Sequence, residues 1–349
     1  MKSYFKSNYH KTPHFSYTTI PTTPLNNYIR GVGMGAIWGV SGLGTTLHKS
    51  TDLGKTWEAG FTFPSIVRHV HFTSRNIMLV CVASVSWGTY GETNDSKIYR
   101  SVDSGISFVK VLDILSGVCL SWSFASDDDG YVYLAEYGYK DGVDNARRVY
   151  RSADDGANFI VAHTLAELVG SHMHKIIVDP NKPNELYLSV GDNDAARAVY
   201  KSSDRGDNFT KLISNPHPTS AVIYDTHIVW GLDGQSIRNK DYGVMVQDRR
   251  DDSFKQVLYL ESGGGSAYDM FKDGDNVYVG FRKYPDQAFP ASIYMSSDQG
   301  FNWQKLYEWT GIQAEGISLS TFGFVDGYGI CELRTPDNTA RAMAFPLIK

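Results

Sequence analysis

The feature that most constrains this chain is an internal repeat. Five segments run from an apolar stretch into Ser-x-Asp-x-Gly and then an aromatic residue. They are Leu47–Glu58 (LHKSTDLGKTWE), Ile98–Val109 (IYRSVDSGISFV), Val149–Ile160 (VYRSADDGANFI), Val199–Thr210 (VYKSSDRGDNFT) and Ile293–Gln304 (IYMSSDQGFNWQ). Their aspartates, Asp52, Asp103, Asp154, Asp204 and Asp298, fall 51, 51, 50 and 94 residues apart. The last gap holds two periods of 47, and Val246–Lys255 (VQDRRDDSFK) stands at its middle as a degenerate copy that keeps the aromatic Phe254 but loses the glycine. Self-similarity at roughly 50 residues is the signature of a radial or stacked repeat architecture.

The chemistry of each copy is that of a turn. The serine hydroxyl and the aspartate carboxylate bond to nearby backbone, and the glycine supplies a positive φ without steric cost. Between copies lie short apolar or alternating runs such as His172–Pro180, Glu185–Gly191, Arg197–Ser202 and Asn208–Ser214. Four such runs per period predict an all-β chain of four-stranded blades, a β-propeller. After the last copy come Ile317–Val325, Tyr328–Leu333 and Ala340–Leu347, a unit short of one strand. His14–Pro21, within an N-terminal arm of residues 1–25, is expected to supply it by pairing with the C-terminal strand. The count is then seven blades, with six as the alternative, and residues 1–349 are read as one propeller domain.

Composition narrows the function classes. Aromatics reach 13 % and there are 33 glycines, which favours strands and tight turns. A formal net charge of −5 offers no general attraction for nucleic acid or for an anionic membrane, so neither is expected as a partner. Cys81, Cys119 and Cys331 form no CxxC pair and read as buried free thiols. Residues 1–23 contain no apolar core segment, so synthesis in the cytosol without a signal peptide is expected, with later virion association or release.

The repeat resembles the Asp-box, or bacterial neuraminidase repeat, of the sialidase-like β-propellers, bacterial and phage examples included. That resemblance implies that the five box aspartates are structural. True sialidases carry an arginine triad, a Tyr–Glu pair and an early Arg-Ile-Pro run. This chain has Tyr28-Ile29-Arg30-Gly31 in that region, so sialic-acid hydrolysis is not expected.

Propeller topology sorts the remaining residues. Loops joining second to third strands crowd one mouth of the channel, where scaffold proteins place binding residues. Here they include Trp87–Ser96, Glu136–Arg148, Asp192–Arg197, Gly231–Tyr242 and Arg282–Ser292. Innermost strands add Arg68-His69, Trp122 and His172-x-His174. The expected site therefore has His172, His174, Tyr137, Glu136 and Asp192 as catalytic groups. Arg68, His69, Trp87, Trp122, Trp230, Asp233 and Arg282 are expected to bind substrate. Tryptophans stack on sugar rings and arginines hold acidic groups. Imidazole and phenol transfer protons, as in a β-elimination; Glu136 with Asp192 is the hydrolase variant. The expected ligand is an acidic carbohydrate, with no cofactor and no metal. The competing reading is a non-catalytic interaction module, such as a virion appendage, docking through the aromatic arm Tyr4–Tyr17.

Overall fold

The computed structural model describes residues 18–19, 27–42, 44–83, 96–114, 118–120, 123–137, 139–140, 144–145, 147–166, 172–191, 196–215, 217–234, 242–260, 265–283, 290–309, 318–334 and 340–347. These form seven four-stranded antiparallel sheets, a seven-bladed β-propeller, with one two-stranded hairpin, Tyr139–Lys140 with Asp144–Asn145, in a loop of blade 3. Blade 1 runs Asn27–Gly33, Ala36–Ser41, Thr46–Ser50, Glu58–Thr62. Blade 2 runs Ile66–Phe72, Met78–Ala83, Lys97–Ser101, Val109–Asp113, and blade 3 Phe124–Ser126, Val132–Ala135, Arg148–Ser152, Ile160–Thr164. Blade 4 runs His172–Asp179, Lys182–Gly191, Ala198–Ser202, Thr210–Ser214, and blade 5 Pro218–Ile223, His227–Leu232, Gly243–Asp248, Phe254–Tyr259. Blade 6 runs Met270–Asp273, Asn276–Phe281, Ala291–Ser296, Gln304–Trp309. Blade 7 takes Ser318–Val325, Tyr328–Arg334 and Ala340–Pro346 from the C-terminal end and Thr18–Thr19 from the N-terminal end. Thr18 pairs with Ala344 and Thr19 with Met343, so the two ends of the chain close the ring.

Burial grades outward along each blade. Every residue of Met78–Ala83 and His227–Leu232 is buried, whereas Val109–Asp113 and Thr210–Ser214 are largely open to solvent. The middle strands are covered by neighbouring blades on both faces and read as continuous apolar runs. Ile29 and Ile37 of blade 1 pack with Val325, Ile330 and Ala344 of blade 7, which seals the last seam. The three cysteines are free and buried, and burial pushes the Cys81 thiol up to about 12.

The five Ser-Asp-Gly turns are built alike. In the blade 3 copy Ser152 Oγ donates to Asp154 Oδ1 at 2.7 Å, and the Gly156 N–H donates to Ser152 Oγ at 2.9 Å. Asn158 closes the turn, its N–H bonding Asp154 Oδ1 at 2.8 Å and its amide bonding Oδ2 at 2.7 Å. Thr56, Ser107, Asn208 and Asn302 do the same in the other four. This closing residue, just before the aromatic, belongs to the motif as much as the glycine does. The residue before each glycine is also left-handed, from Asp155 at φ 55° to Gln299 at φ 61°. A Cβ on Gly156 would stand 2.9 Å from Leu79 of the preceding blade, so the glycine also lets the turn seat against its neighbour. Asp154→Ala removes these bonds at a solvent-facing turn and should cost about 1 kcal/mol in urea unfolding. No loss of stability there would contradict the scaffold role.

The degenerate copy in blade 5 has the same length, with Gln247 standing where the serine stands and Arg249 where the aspartate stands. Gln247 accepts the Trp230 indole N–H at 3.0 Å and donates to Asp252 Oδ1 at 2.9 Å. Arg249 donates to the Tyr224 carbonyl at 2.9 Å and pairs with Asp179 and Glu185 of blade 4. A turn that elsewhere caps itself here ties two blades together.

Candidate functional site

Irregularities in the innermost strands decide which side chains meet at the channel. Strand register shifts at Ile29/Gly31, Val67/His69, Met173/Ile176 and Pro218/Ser220, at or beside Arg30, Arg68, His174–Lys175 and Thr219. Such bulges re-aim side chains and break strict alternation. The shift in blade 4 is held by Ser189, whose Oγ accepts from the Lys175 N–H at 3.0 Å and donates to the Pro218 carbonyl at 2.8 Å. Thr219 Oγ1 donates to the Ala267 carbonyl at 2.7 Å, so blades 4, 5 and 6 are tied in series beneath the rim.

At that rim Tyr137, His172, His174, His217 and Asp233 converge from blades 3, 4 and 5. His172 Nε2 lies 3.1 Å from His174 Nε2. The Tyr137 ring packs on His172 at 4.1 Å between centroids and stands 5.9 Å from His174. His174 stacks on His217 at 4.8 Å. The Asp233 N–H donates to the His217 carbonyl at 2.7 Å, and its carboxylate accepts from Ser266 Oγ. The histidines and Asp233 are 2–5 % exposed, while Tyr137 is half-buried. Gly191 is what admits the rings, since a Cβ there would stand 2.0 Å from His217 Nε2 and 2.2 Å from His174 Cε1.

Other expected site residues lie elsewhere or are already engaged. Glu136 is fully buried; its carboxylate accepts the Tyr150 hydroxyl at 2.7 Å and the Arg148 N–H at 3.1 Å, and pairs with the Arg148 guanidinium at 3.5 Å. Trp230 was expected to line the mouth, but its position in the all-buried second strand of blade 5 turns it into the core with Ile177, Tyr187 and Val199. Arg68 and His69 belong to the channel wall of blade 2, where His69 pairs with Cys81, deeper than His172 opposite Gly191. Arg282 is at the rim, its guanidinium 4.8 Å over the Tyr268 ring and bonded to the Tyr268 hydroxyl at 2.7 Å. The Arg282 N–H donates to the Ser266 carbonyl at 3.0 Å, which joins it to the Asp233 group. Trp87, Trp122 and Asp192 lie outside the described residues. His217 was not anticipated, yet it carried a signal. It immediately precedes the innermost strand of blade 5, close to the place where His172 opens that of blade 4.

The deeper wall carries basic side chains, Arg68, His69, His71 and Lys175, from blades 2 and 4. His69 is held well below its ordinary pKa by desolvation and by the charges of His71 and Lys175. Desolvation and Lys175 bring His71 down to about 3, and its ring stacks on Phe124 at 5.3 Å. Below pH 6.5 the unfolded imidazole takes up a proton that the folded ring refuses until about 3. Unfolding is therefore favoured as pH falls through that window. The melting temperature should decline from pH 6.5 toward 3, and His71→Phe should flatten the profile; an unchanged profile would exclude this cause. A separate cleft of about 420 Å³ opens at the turn end of blade 5, lined by His227, Arg250, Lys255 and Phe301 among others.

Among the described residues no helix is long and apolar enough to cross a membrane. No protein-family model matches the sequence, and no curated protein does. Solved structures do resemble the fold. YCF48 from Cyanidioschyzon merolae has TM-score 0.59 at 14 % identity, covering 95 % of this chain and 98 % of that one. The WD40 propeller domain of Doa1 has TM-score 0.61 at 13 % identity, covering 96 % and 98 %. The GH74 enzyme of Niastella koreensis has TM-score 0.58 at 11 % identity, covering 91 % of this chain but 59 % of its own. At such identities the likeness is one of fold, and the chain is a seven-bladed β-propeller.

Proposed function

We propose that this chain is a glycan-directed propeller that takes an acidic polysaccharide at the rim of blades 3 to 6 and cleaves it by β-elimination, with Tyr137 as the proton-transferring group. The observation that carries the reading is the half-buried Tyr137 ring packed at 4.1 Å on His172, on a rim that also presents Arg282. A guanidinium holds a uronate carboxylate by charge-assisted bonds. In the reaction the Tyr137 oxygen takes the proton α to that carboxylate, the C–H electron pair becomes the carbon–carbon double bond as the bond to the neighbouring glycosidic oxygen breaks, and Tyr137 then gives the same proton to the departing oxygen. His172 and His174 act on this step as positioning residues behind Tyr137. Glycoside hydrolysis is the weaker variant, because it needs two carboxylates able to act on the sugar, and both oxygens of Glu136 are committed within blade 3. The kinship with Asp-box propellers is part of the proposal, supported by five turns with one bonding pattern.

The test is incubation with a panel of uronate-containing polysaccharides, following ultraviolet absorbance of the unsaturated product. Release of that product supports elimination, and new reducing ends without it would mean hydrolysis. A second reading has its own support. The structure of YCF48 bound to a D1 peptide covers 96 % of this chain and 96 % of its own, and the histidine cluster here is buried, so a protein-binding rim is the alternative. Neither cleavage nor retention on any polysaccharide in the panel would favour it.

A further inference from the structure

We infer that His172, His174, His217 and Asp233 form a binding site for one divalent transition-metal ion. The donor atoms of His174, His217 and Asp233 all lie within 4.8 Å of one another. His172 Nε2 is 3.1 Å from His174 Nε2. Two nitrogens bound at about 2.0–2.1 Å on a tetrahedral ion stand roughly 3.3 Å apart, so small ring movements bring this set onto a common centre. Three imidazoles and one carboxylate leave a single negative charge in a site 2–5 % exposed. Such a set suits Zn²⁺ or Co²⁺, while Ca²⁺ and Mg²⁺ call for oxygen donors.

The surroundings are those of a held carboxylate and a held ring. Ser266 Oγ donates to Asp233 and accepts from the Gly234 N–H at 3.1 Å, which fixes the carboxylate from outside the donor set. Gly191 keeps the floor clear for His174 and His217. The donors come from two blades, and Ser189 locks those blades together beneath them. Filling a channel needs none of this, since apolar side chains fill it without polar groups to satisfy.

The inference shares the rim with the glycan reading but does not rest on it, because its readout is metal itself. The full chain, stripped with a chelator, is titrated with ZnCl₂ and with CoCl₂ alone. Calorimetry, bound-metal content and the visible Co²⁺ spectrum are followed. Expected are one equivalent bound, an intense d–d spectrum of tetrahedral Co²⁺, and a melting temperature that rises with free metal. His217→Ala and Asp233→Ala should each weaken binding at least about 100-fold, and Ser266→Ala roughly 10- to 100-fold. Their melting temperatures are compared with the wild type in chelator. Should a variant not fold, the wild-type stoichiometry and Co²⁺ spectrum decide. Less than one equivalent bound, a six-coordinate aqua-type spectrum, or unchanged affinity in folded His217→Ala would overturn the site.

Discussion

Tyr137→Phe is expected to reduce the rate of unsaturated-product release by roughly 10²–10⁴-fold, with KM changed by no more than about twofold. The substitution keeps the ring, and with it the packing on His172 at 4.1 Å, while removing the hydroxyl proposed to exchange the proton. Its backbone pairs with Val118 on either side at 2.9 Å, so the main chain there is held independently of the hydroxyl. The melting temperature should therefore match that of the wild type. Rate and melting temperature falling together would mean a structural hydroxyl. An undiminished rate would move the chemistry off this residue.

Deleting residues 1–20 should cause aggregation and a loss of stability of at least on the order of 2–3 kcal/mol from ladder hydrogen bonds alone. The deletion removes Thr18 and Thr19 from their pairing with Ala344 and Met343. It leaves Ala340–Pro346 as an unpaired strand edge, and such edges recruit other chains. It also cuts the covalent link from the outer strand of blade 7 into blade 1, so that the packing of Ile330 and Ala344 against Ile29 and Ile37 is left to hold that seam. Size-exclusion chromatography and thermal melts of the truncated and full chains check this. A truncated monomer melting at the full-chain temperature would show that the closing pair contributes nothing.

Much of the candidate site was legible and part of it was not. Tyr137, His172, His174 and Asp233 were placed at one mouth because each falls at a strand end, and strand ends follow from turn chemistry along the chain. Glu136 also falls at such an end, yet its side chain bonds inward to Tyr150 and the Arg148 N–H. Asp233 and Glu136 are both acids after a second strand, and only their neighbours distinguish them. Ser266, from the connection before blade 6, reaches Asp233; Tyr150, from the next strand, reaches Glu136.

What the sequence by itself determined is the architecture: strands, turns, seven blades and the closure between the chain ends. The strands and turns are local, because Ser152, Asp154, Gly156 and Asn158 bond to one another within a single turn, and counting that pattern at its fixed period gives the blade number and leaves the last blade one strand short. Tertiary structure alone decided which of the side chains at that rim come into contact. The register shift at Met173/Ile176 re-aims His174, and the missing Cβ of Gly191 lets it reach His217, 43 residues away in the chain and on another blade. A one-residue slip in a strand sends a side chain to the opposite face. The pattern of apolar residues does not show where a bulge will absorb that slip, so the meeting of two blades is settled only when they pack.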